Sequence, residues 1–337
     1  MKLKSFFTYI LVLILFISCN NDKKPSKYKI KGEALGTTYN VNYYSNKKQN
    51  LKIKFDSIFD VINQSLSTYI PESDISKINK GSNVKVDNHF KNVFQISKTI
   101  YQNTDGYFDP SIGIMVNAYG FGPMQYDLDM TKNNVDSLMN FVGFEKFKLE
   151  NNQIKTDLKS FYLDFNAVAK GYAVDVLADF LKQKGMQNFF VELGGEVVTK
   201  GRDLNNDKIW NFGIETPSEN NVTRELSYAI SVDNKALATS GNYRKFKIDT
   251  TTGQRFVHTI NPKTGLSEKS NVLSSSVVAE TCAVADAYAT AFMAMGFEKA
   301  KTIIEEYHIS ALLIYVDDNN NMKTFMTKDL EEITSQF

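Results

Sequence analysis

Apolar and polar residues alternate from Tyr28 to Tyr44, and the alternation breaks at Gly36-Thr37-Thr38, which predicts two strands joined by a turn. The period then changes. Phe55, Ile58, Phe59, Ile62, Leu66 and Ile70 recur at helical spacing with Asp56 near the start, and a second helix is predicted over residues 90–101, stopped by Asp105-Gly106. Residues 66–79 read as a turn-rich connection. Residues 106–123, dense in glycine, proline and aromatic side chains, read as a long loop of the kind that borders binding sites. A short helix is predicted over residues 135–142 and two strands within residues 147–163. Strand-like alternation runs into Leu163 and gives way within three residues to helical spacing at Val168, Tyr172, Val176 and Phe180, so a strand feeds a helix there. Asn166 is the predicted N-cap of that helix and Gly185 its stop.

Further along, residues 189–198 form a buried strand interrupted by Gly194-Gly195, which is either a bulge or a place where a flat ligand approaches the backbone. Asp203, Asn205 and Asp207 have the opening spacing of a calcium loop. With no glycine at its sixth position and no acid at its twelfth, the segment is predicted to be a hairpin turn. Strands follow over residues 210–214 and 227–232, and a further strand from Ser274 leads into an alanine-rich helix. No repeat of solenoid period is visible.

The first residues follow a different pattern. Lys2 and Lys4 precede an apolar run over residues 6–17, too short to span a bilayer and typical of a signal peptide. Ser18-Cys19 followed by polar residues resembles the lipobox of bacterial lipoproteins, although Phe16 stands where leucine is commoner. That resemblance implies a signal peptide over residues 1–18, a lipidated tether over 19–27 acylated at Cys19, and a domain over 28–337 facing the periplasm. The alternative is a simple secretory signal. Cys19 and Cys282 are the two cysteines, so acylation of the first leaves no internal disulfide, and the domain must stand on its core. The 39 basic and 38 acidic residues are interspersed, without the basic stripe that nucleic acid requires.

Three places carry candidate chemistry. Lys170 puts a cation in the first turn of the helix from residue 167, where backbone N–H groups favour anions. It is either a solvated lysine or one half of an anion site. His258 stands at a predicted strand end before the turn Asn261-Pro262-Lys263-Thr264-Gly265, where a neutral imidazole suits proton transfer; His89 and His308 read as structural or solvated. In the alanine-rich helix, Ala283, Asp286 and Thr290 fall on one face. The last two make a small oxygen-only site suited to Mg²⁺, or else Asp286 bonds to nearby amides and Thr290 to its own helix.

Taken together and in order, Leu35-Gly36-Thr37-Thr38-Tyr39, Leu66-Ser67-Thr68-Tyr69 with residues 73–79, Phe108-Asp109-Pro110-Ser111-Ile112-Gly113, residues 164–175, Leu193-Gly194-Gly195, Ala238-Thr239-Ser240-Gly241, residues 258–265 and residues 285–290 resemble the ApbE family, the bacterial FAD:protein FMN transferases. The resemblance covers residue 28 to the C-terminal region. It implies an α+β fold: a single ApbE-like domain of two interleaved α/β halves with a flavin cleft between them. It further implies a Mg²⁺-dependent transfer of FMN from FAD to a Ser or Thr hydroxyl of an acceptor flavoprotein, a subunit of a membrane redox complex, with release of AMP. By position, Leu35, Tyr69, Tyr107, Phe108, Asp109, Asp164, Lys170, His258, Thr259 and Ile260 match family residues that contact FAD. Ala167 and Ala283 match backbone-oxygen positions near the metal, Asp286 and Thr290 match its side-chain ligands, and His258 matches the base that deprotonates the acceptor. Asn166, Phe165 and Cys282 depart from the family's usual residues, and none removes a ligand. With water as nucleophile the same residues would make a Mg²⁺-dependent FAD pyrophosphatase; without catalysis, a flavin-binding lipoprotein.

Overall fold

The computed structural model describes residues 24–337 except 127, 218–224, 242–245, 249–254, 258 and 268–269, and leaves out the side chains of 246–248 and 255–257. The predicted signal, Cys19 and His258 therefore lie outside the described residues. The chain opens with β1 (Ser26–Ala34) and β2 (Thr37–Ser45), paired antiparallel through Ala34 and Thr37. Leu35 and Gly36 between them both have positive φ, 48° and 73°, the conformation of a two-residue hairpin turn.

Helix α1 (Lys52–Leu66) buries Phe55, Phe59, Ile62 and Leu66 and ends before Ile70. The connection after it contains a short helix, α2 (Asp74–Asn79), whose N-cap Ser73 accepts from the Ser76 amide. Helix α3 (Asn88–Asn103) is capped by Asp87. The expected loop over 106–123 contains a 3₁₀ turn, Pro110–Ile112, running into α4 (Gly113–Ala118). Then come α5 (Lys132–Met139), the small hairpin of β3 (Lys148–Glu150) and β4 (Gln153–Lys155), and α6 (Asn166–Gln183).

The strand expected to end at Leu163 is absent. The backbone there is extended but pairs with a side chain: Asn79 donates to the Leu163 carbonyl and accepts from its amide, both at 2.8 Å. Asn79 thus takes the place of a neighbouring strand, which explains strand-like alternation without a sheet. Asn166 is the first helical residue of α6 rather than its cap. Asp164 takes the capping role, accepting from the Asn166 amide at 2.7 Å.

The second half supplies most of the sheet: β5 (Phe189–Leu193), β6 (Glu196–Lys200), β7 (Arg202–Asp203), β8 (Lys208–Glu215), β9 (Leu226–Val232), β10 (Ala236–Gly241), β11 (Phe246–Ile248), β12 (Arg255–Val257) and β13 (Val272–Ala279), then α7 (Cys282–Met295), α8 (Phe297–Glu306), β14 (Ser310–Val316), β15 (Met322–Met326), α9 (Lys328–Glu331) and β16 (Thr334–Gln336). Gly194-Gly195 is a hairpin turn between β5 and β6, not a bulge, and residues 204–207 turn β7 into β8 as expected.

Eight strands form one antiparallel sheet in the order β1-β2-β5-β6-β10-β13-β14-β15, and β16-β9-β8-β7 form a second of four. Alternation decides which layer each face meets. Val198, Ala236, Ala238, Val277 and Leu313 face the large core shared with α1, α3, α6 and α7. Val197, Leu237, Val278, Leu312 and Ile314 face the small sheet through Ile214, Ile230 and Val232. The result is helices, a central sheet and a second sheet in layers. A satellite cluster of Ile114, Met115, Val135, Val142 and Ile260 fastens the segment after β12 to α4 and α5.

Candidate active site

Helices α6 and α7 approach so closely that Gly171 is obligatory. A Cβ built on it would lie 2.4 Å from the Cys282 carbonyl oxygen and 2.9 Å from the Ala283 Cα. Two carboxylates lock this crossing from opposite sides. Asp175 of α6 accepts from the Cys282 amide at 2.8 Å and the Ala283 amide at 2.9 Å, capping α7 where Thr281 makes no side-chain cap. Asp286 of α7 accepts from the Gly171 amide at 3.0 Å. Burial raises Asp175 to about 6 although both amides pull it down.

That second bond affects Ala167. In a regular α-helix the Gly171 amide closes on the Ala167 carbonyl, but one N–H carries one proton, so the carbonyl receives at most a share of it. Ala167 lines the cleft, with an oxygen whose helical partner is already engaged. Ala283 is fully buried beneath Gly171 and does not line the cleft.

The cleft measures about 1430 Å³ and runs from the β1–β2 turn past the start of α6 to the face of α7. Leu35, Tyr69, Tyr107, Phe108, Asp109 and Asp164 line one part of it; Ala167, Lys170, Asp286, Thr290, Thr259 and Ile260 line the rest. The structure therefore brings into one space every described residue singled out in the sequence for flavin or metal except Ala283. Thr259 and Ile260 place the start of the Asn-Pro turn at its wall. The turn itself is closed by the Gly265 amide on the Asn261 carbonyl at 2.8 Å.

Lys170 is the fifth residue of α6, one position deeper than expected, and its ammonium faces side chains instead of the helix start. It donates to Glu196, the first residue of β6, and stands 3.9 Å from Asp286 Oδ1. Burial lowers the Lys170 pKa, but Asp286 and Glu196 together outweigh it and the net shift is upward. Burial raises both carboxylates, and Lys170 restrains each. The cluster carries two carboxylates against one ammonium in a buried place, a setting that attracts a further cation. Thr290 adds a hydroxyl 3.3 Å from Ser240 Oγ on β10.

Asp109 serves the scaffold. Its Oδ1 accepts from the Ser111 amide at 2.7 Å and hydroxyl at 2.6 Å, its Oδ2 accepts from the Phe144 amide at 3.3 Å, and burial lifts it to about 6. Asp164, raised by burial, lies near enough to Tyr69 to lift the phenol in addition to its own burial. Tyr107 is held at the rim under Lys299 and Lys263, whose Nζ atoms sit 4.8 Å and 5.7 Å from its ring centre. Glu196 and Asp175 were not anticipated. An acid directly after Gly-Gly in an apolar strand was the available signal for Glu196; for Asp175 there was none, since its partners are two backbone amides over a hundred residues away.

A sequence model of the ApbE family matches residues 35–313. The FAD:protein FMN transferase of Vibrio cholerae is 31% identical over 97% of this chain and 100% of its own, and that of Haemophilus influenzae 29% identical over 97% and 96%. Among solved structures, the flavin transferase ApbE from Vibrio cholerae superposes with a TM-score of 0.81 at 29% identity, covering 92% of this chain and 99% of that one. The apo flavinyl transferase ApbE of Pseudomonas stutzeri gives 0.80 at 25%, covering 92% and 97%. With the family sequence matched over most of the chain and the fold shared almost end to end, this chain belongs to the ApbE family.

Proposed function

We propose that this chain is an FAD:protein FMN transferase: it cuts FAD at the diphosphate, passes FMN to a Thr or Ser hydroxyl of an acceptor flavoprotein and releases AMP. The observation that carries this reading is the convergence of Lys170 and Asp286, 3.9 Å apart, from two helices on one long cleft that also holds Leu35, Tyr69 and Phe108. A cation beside a carboxylate that can itself hold a metal is the arrangement a diphosphate needs.

The donor set fits Mg²⁺. Asp286, Thr290 and the Ala167 carbonyl are all oxygen donors on the cleft wall, leaving positions for water and phosphate oxygens. No group of three or more His, Cys, Asp or Glu side chains among the described residues gathers as a cage for a softer metal. When bound, Mg²⁺ supplies neutralisation of the charge that develops on the phosphate oxygens. The protein's own residues do the rest. Lys170 takes the charge of the diphosphate, and the apolar and aromatic wall of Leu35, Tyr69 and Phe108 seats the flavin. His258, outside the described residues and adjacent in sequence to Thr259 of the wall, takes the proton of the acceptor hydroxyl. The hydroxyl oxygen then bonds to the phosphorus of the FMN half, the bond from that phosphorus to the bridging oxygen breaks, and AMP leaves with the bridging oxygen.

Acylation at Cys19 would tether the domain to a membrane on its periplasmic side, where the acceptor subunit of a membrane redox complex would meet it. The test is to incubate the mature domain with FAD and Mg²⁺, with and without a candidate acceptor domain. The expected result is covalent FMN on an acceptor threonine or serine by mass spectrometry, with AMP released in step. Free FMN at the same rate in both tubes would make the chain a pyrophosphatase, and no AMP in either a flavin-binding protein.

A further inference from the structure

Glu196 is a buried charged side chain of the cleft that neither the flavin nor the metal assignment uses. It opens β6 directly after the Gly194-Gly195 turn, is 2% exposed, and lines the cleft. One oxygen accepts from Lys170; the other, Oε2, is buried with no hydrogen-bond partner among the described residues. An ion pair serving stability alone would be expected to satisfy both oxygens.

The lysine it holds is otherwise under-determined. A lysine stem has four rotatable bonds and a point charge, and it finds one rotamer only where a fixed partner selects it. Asp286 is a poor candidate for that partner: its Oδ1 lies 3.9 Å from the ammonium, and its Oδ2 is engaged by the Gly171 amide. Glu196 is in direct contact and is fixed by the sheet, with β6 paired to β5 on one side and β10 on the other.

We propose that Glu196 is a positioning residue that acts through Lys170, holding its ammonium on the Asp286 side of the cleft so that the cation is in place before a dinucleotide diphosphate arrives. The proposal deepens the transferase reading and rests on it for the identity of the ligand. Pre-placement cuts the ordering that binding would otherwise have to do, so the effect falls on ligand affinity and not only on turnover.

The test is a double-mutant cycle on the mature domain, read by FAD binding through quenching of flavin fluorescence, with thermal unfolding measured alongside. Glu196→Ala and Lys170→Met are each expected to weaken FAD binding by roughly tenfold, the size of a lost charge-assisted contact. The double variant is expected to bind no more weakly than Lys170→Met alone, because Glu196 has nothing to hold once the ammonium is gone. Glu196→Gln, which keeps an acceptor for the ammonium, is expected to recover most of the loss. Effects that multiply in the double variant overturn the proposal, as does wild-type affinity in Glu196→Ala. If Glu196→Ala does not fold, Glu196→Asp with Lys170→Met completes the cycle on the same criterion. The cycle needs no turnover: a wild type that binds FAD but transfers nothing refutes the transferase reading and leaves Glu196 testable, whereas a wild type that binds no FAD overturns both.

Discussion

Asp286 is placed where a carboxylate alone would be costly, and its neighbours make it tenable: the Gly171 amide at 3.0 Å and the Lys170 ammonium at 3.9 Å. Asp286→Asn keeps the shape and loses the charge, so AMP release from FAD is expected to fall by about 100-fold or more and Mg²⁺ affinity, measured by calorimetry, to fall with it. Thr290→Val removes a neutral donor backed by Ser240 and is expected to cost less, about tenfold. His258→Ala is expected to bind FAD as the wild type does and to lose transfer to the acceptor; parallel loss of FAD affinity would refute its role as base. At this scale the sequence was informative wherever a residue contradicted its surroundings. Lys170 near a helix start and Asp286 in an alanine-rich helix stood out, and both line the cleft. Glu196 did not stand out, because the Gly-Gly before it reads as a bulge or a ligand approach and its partner is in another element.

Between elements, the distance from α6 to α7 sets the site. Gly171→Ala would push a methyl group into the Cys282 carbonyl, and roughly 1–3 kcal/mol of destabilisation is expected from overpacking, with FAD affinity lowered because Lys170 and Asp286 separate. Urea unfolding checks the first effect and a binding titration the second. The β1–β2 turn gives the opposite trade. Leu35 lies on the cleft at φ 48°, so Leu35→Gly is expected to stabilise the fold by roughly 0.5–1 kcal/mol while weakening FAD binding. Helices α1, α3, α6 and α7 were legible because a continuous apolar stripe or an unbroken run of helix formers marks them. The strand into Leu163 was misread because Asn79, a side chain, supplies the pairing that alternation normally implies. Helix α4 is hidden for a related reason: its glycine is there for close packing, with a Cβ on Gly113 coming within 2.7 Å of the Tyr162 carbonyl oxygen. Composition signalled a loop where tertiary contact makes a helix.

Across the whole molecule, the buried acids shape the response to pH. Asp109 and Asp175 are raised from 3.8 to about 6 by burial, so the folded state binds their protons more readily than the unfolded chain does. Stability therefore rises as pH falls through that window, and this contribution is lost as pH climbs past about 6. Between pH 7 and pH 5 the wild type is expected to gain about 1 kcal/mol on Asp175→Asn, with the same sign for Asp109→Asn, read from paired urea melts. A gap that narrowed toward pH 5 would refute the assignment.

Lys170 and Asp286 meet only after the chain has passed through four strands of the central sheet, β5, β6, β10 and β13. The active pair is thus a product of the final stages of folding, since distant contacts form only once the entropy of closing long loops has been overcome. A chain interrupted before residue 282 would still contain the flavin-facing wall and the lysine, yet would lack the carboxylate opposite. In a series of C-terminal truncations, FMN transfer is expected to be absent from every chain that ends before α7, however much of the flavin-facing wall it keeps. A newly made copy would have no means of splitting FAD until α7 had been synthesised.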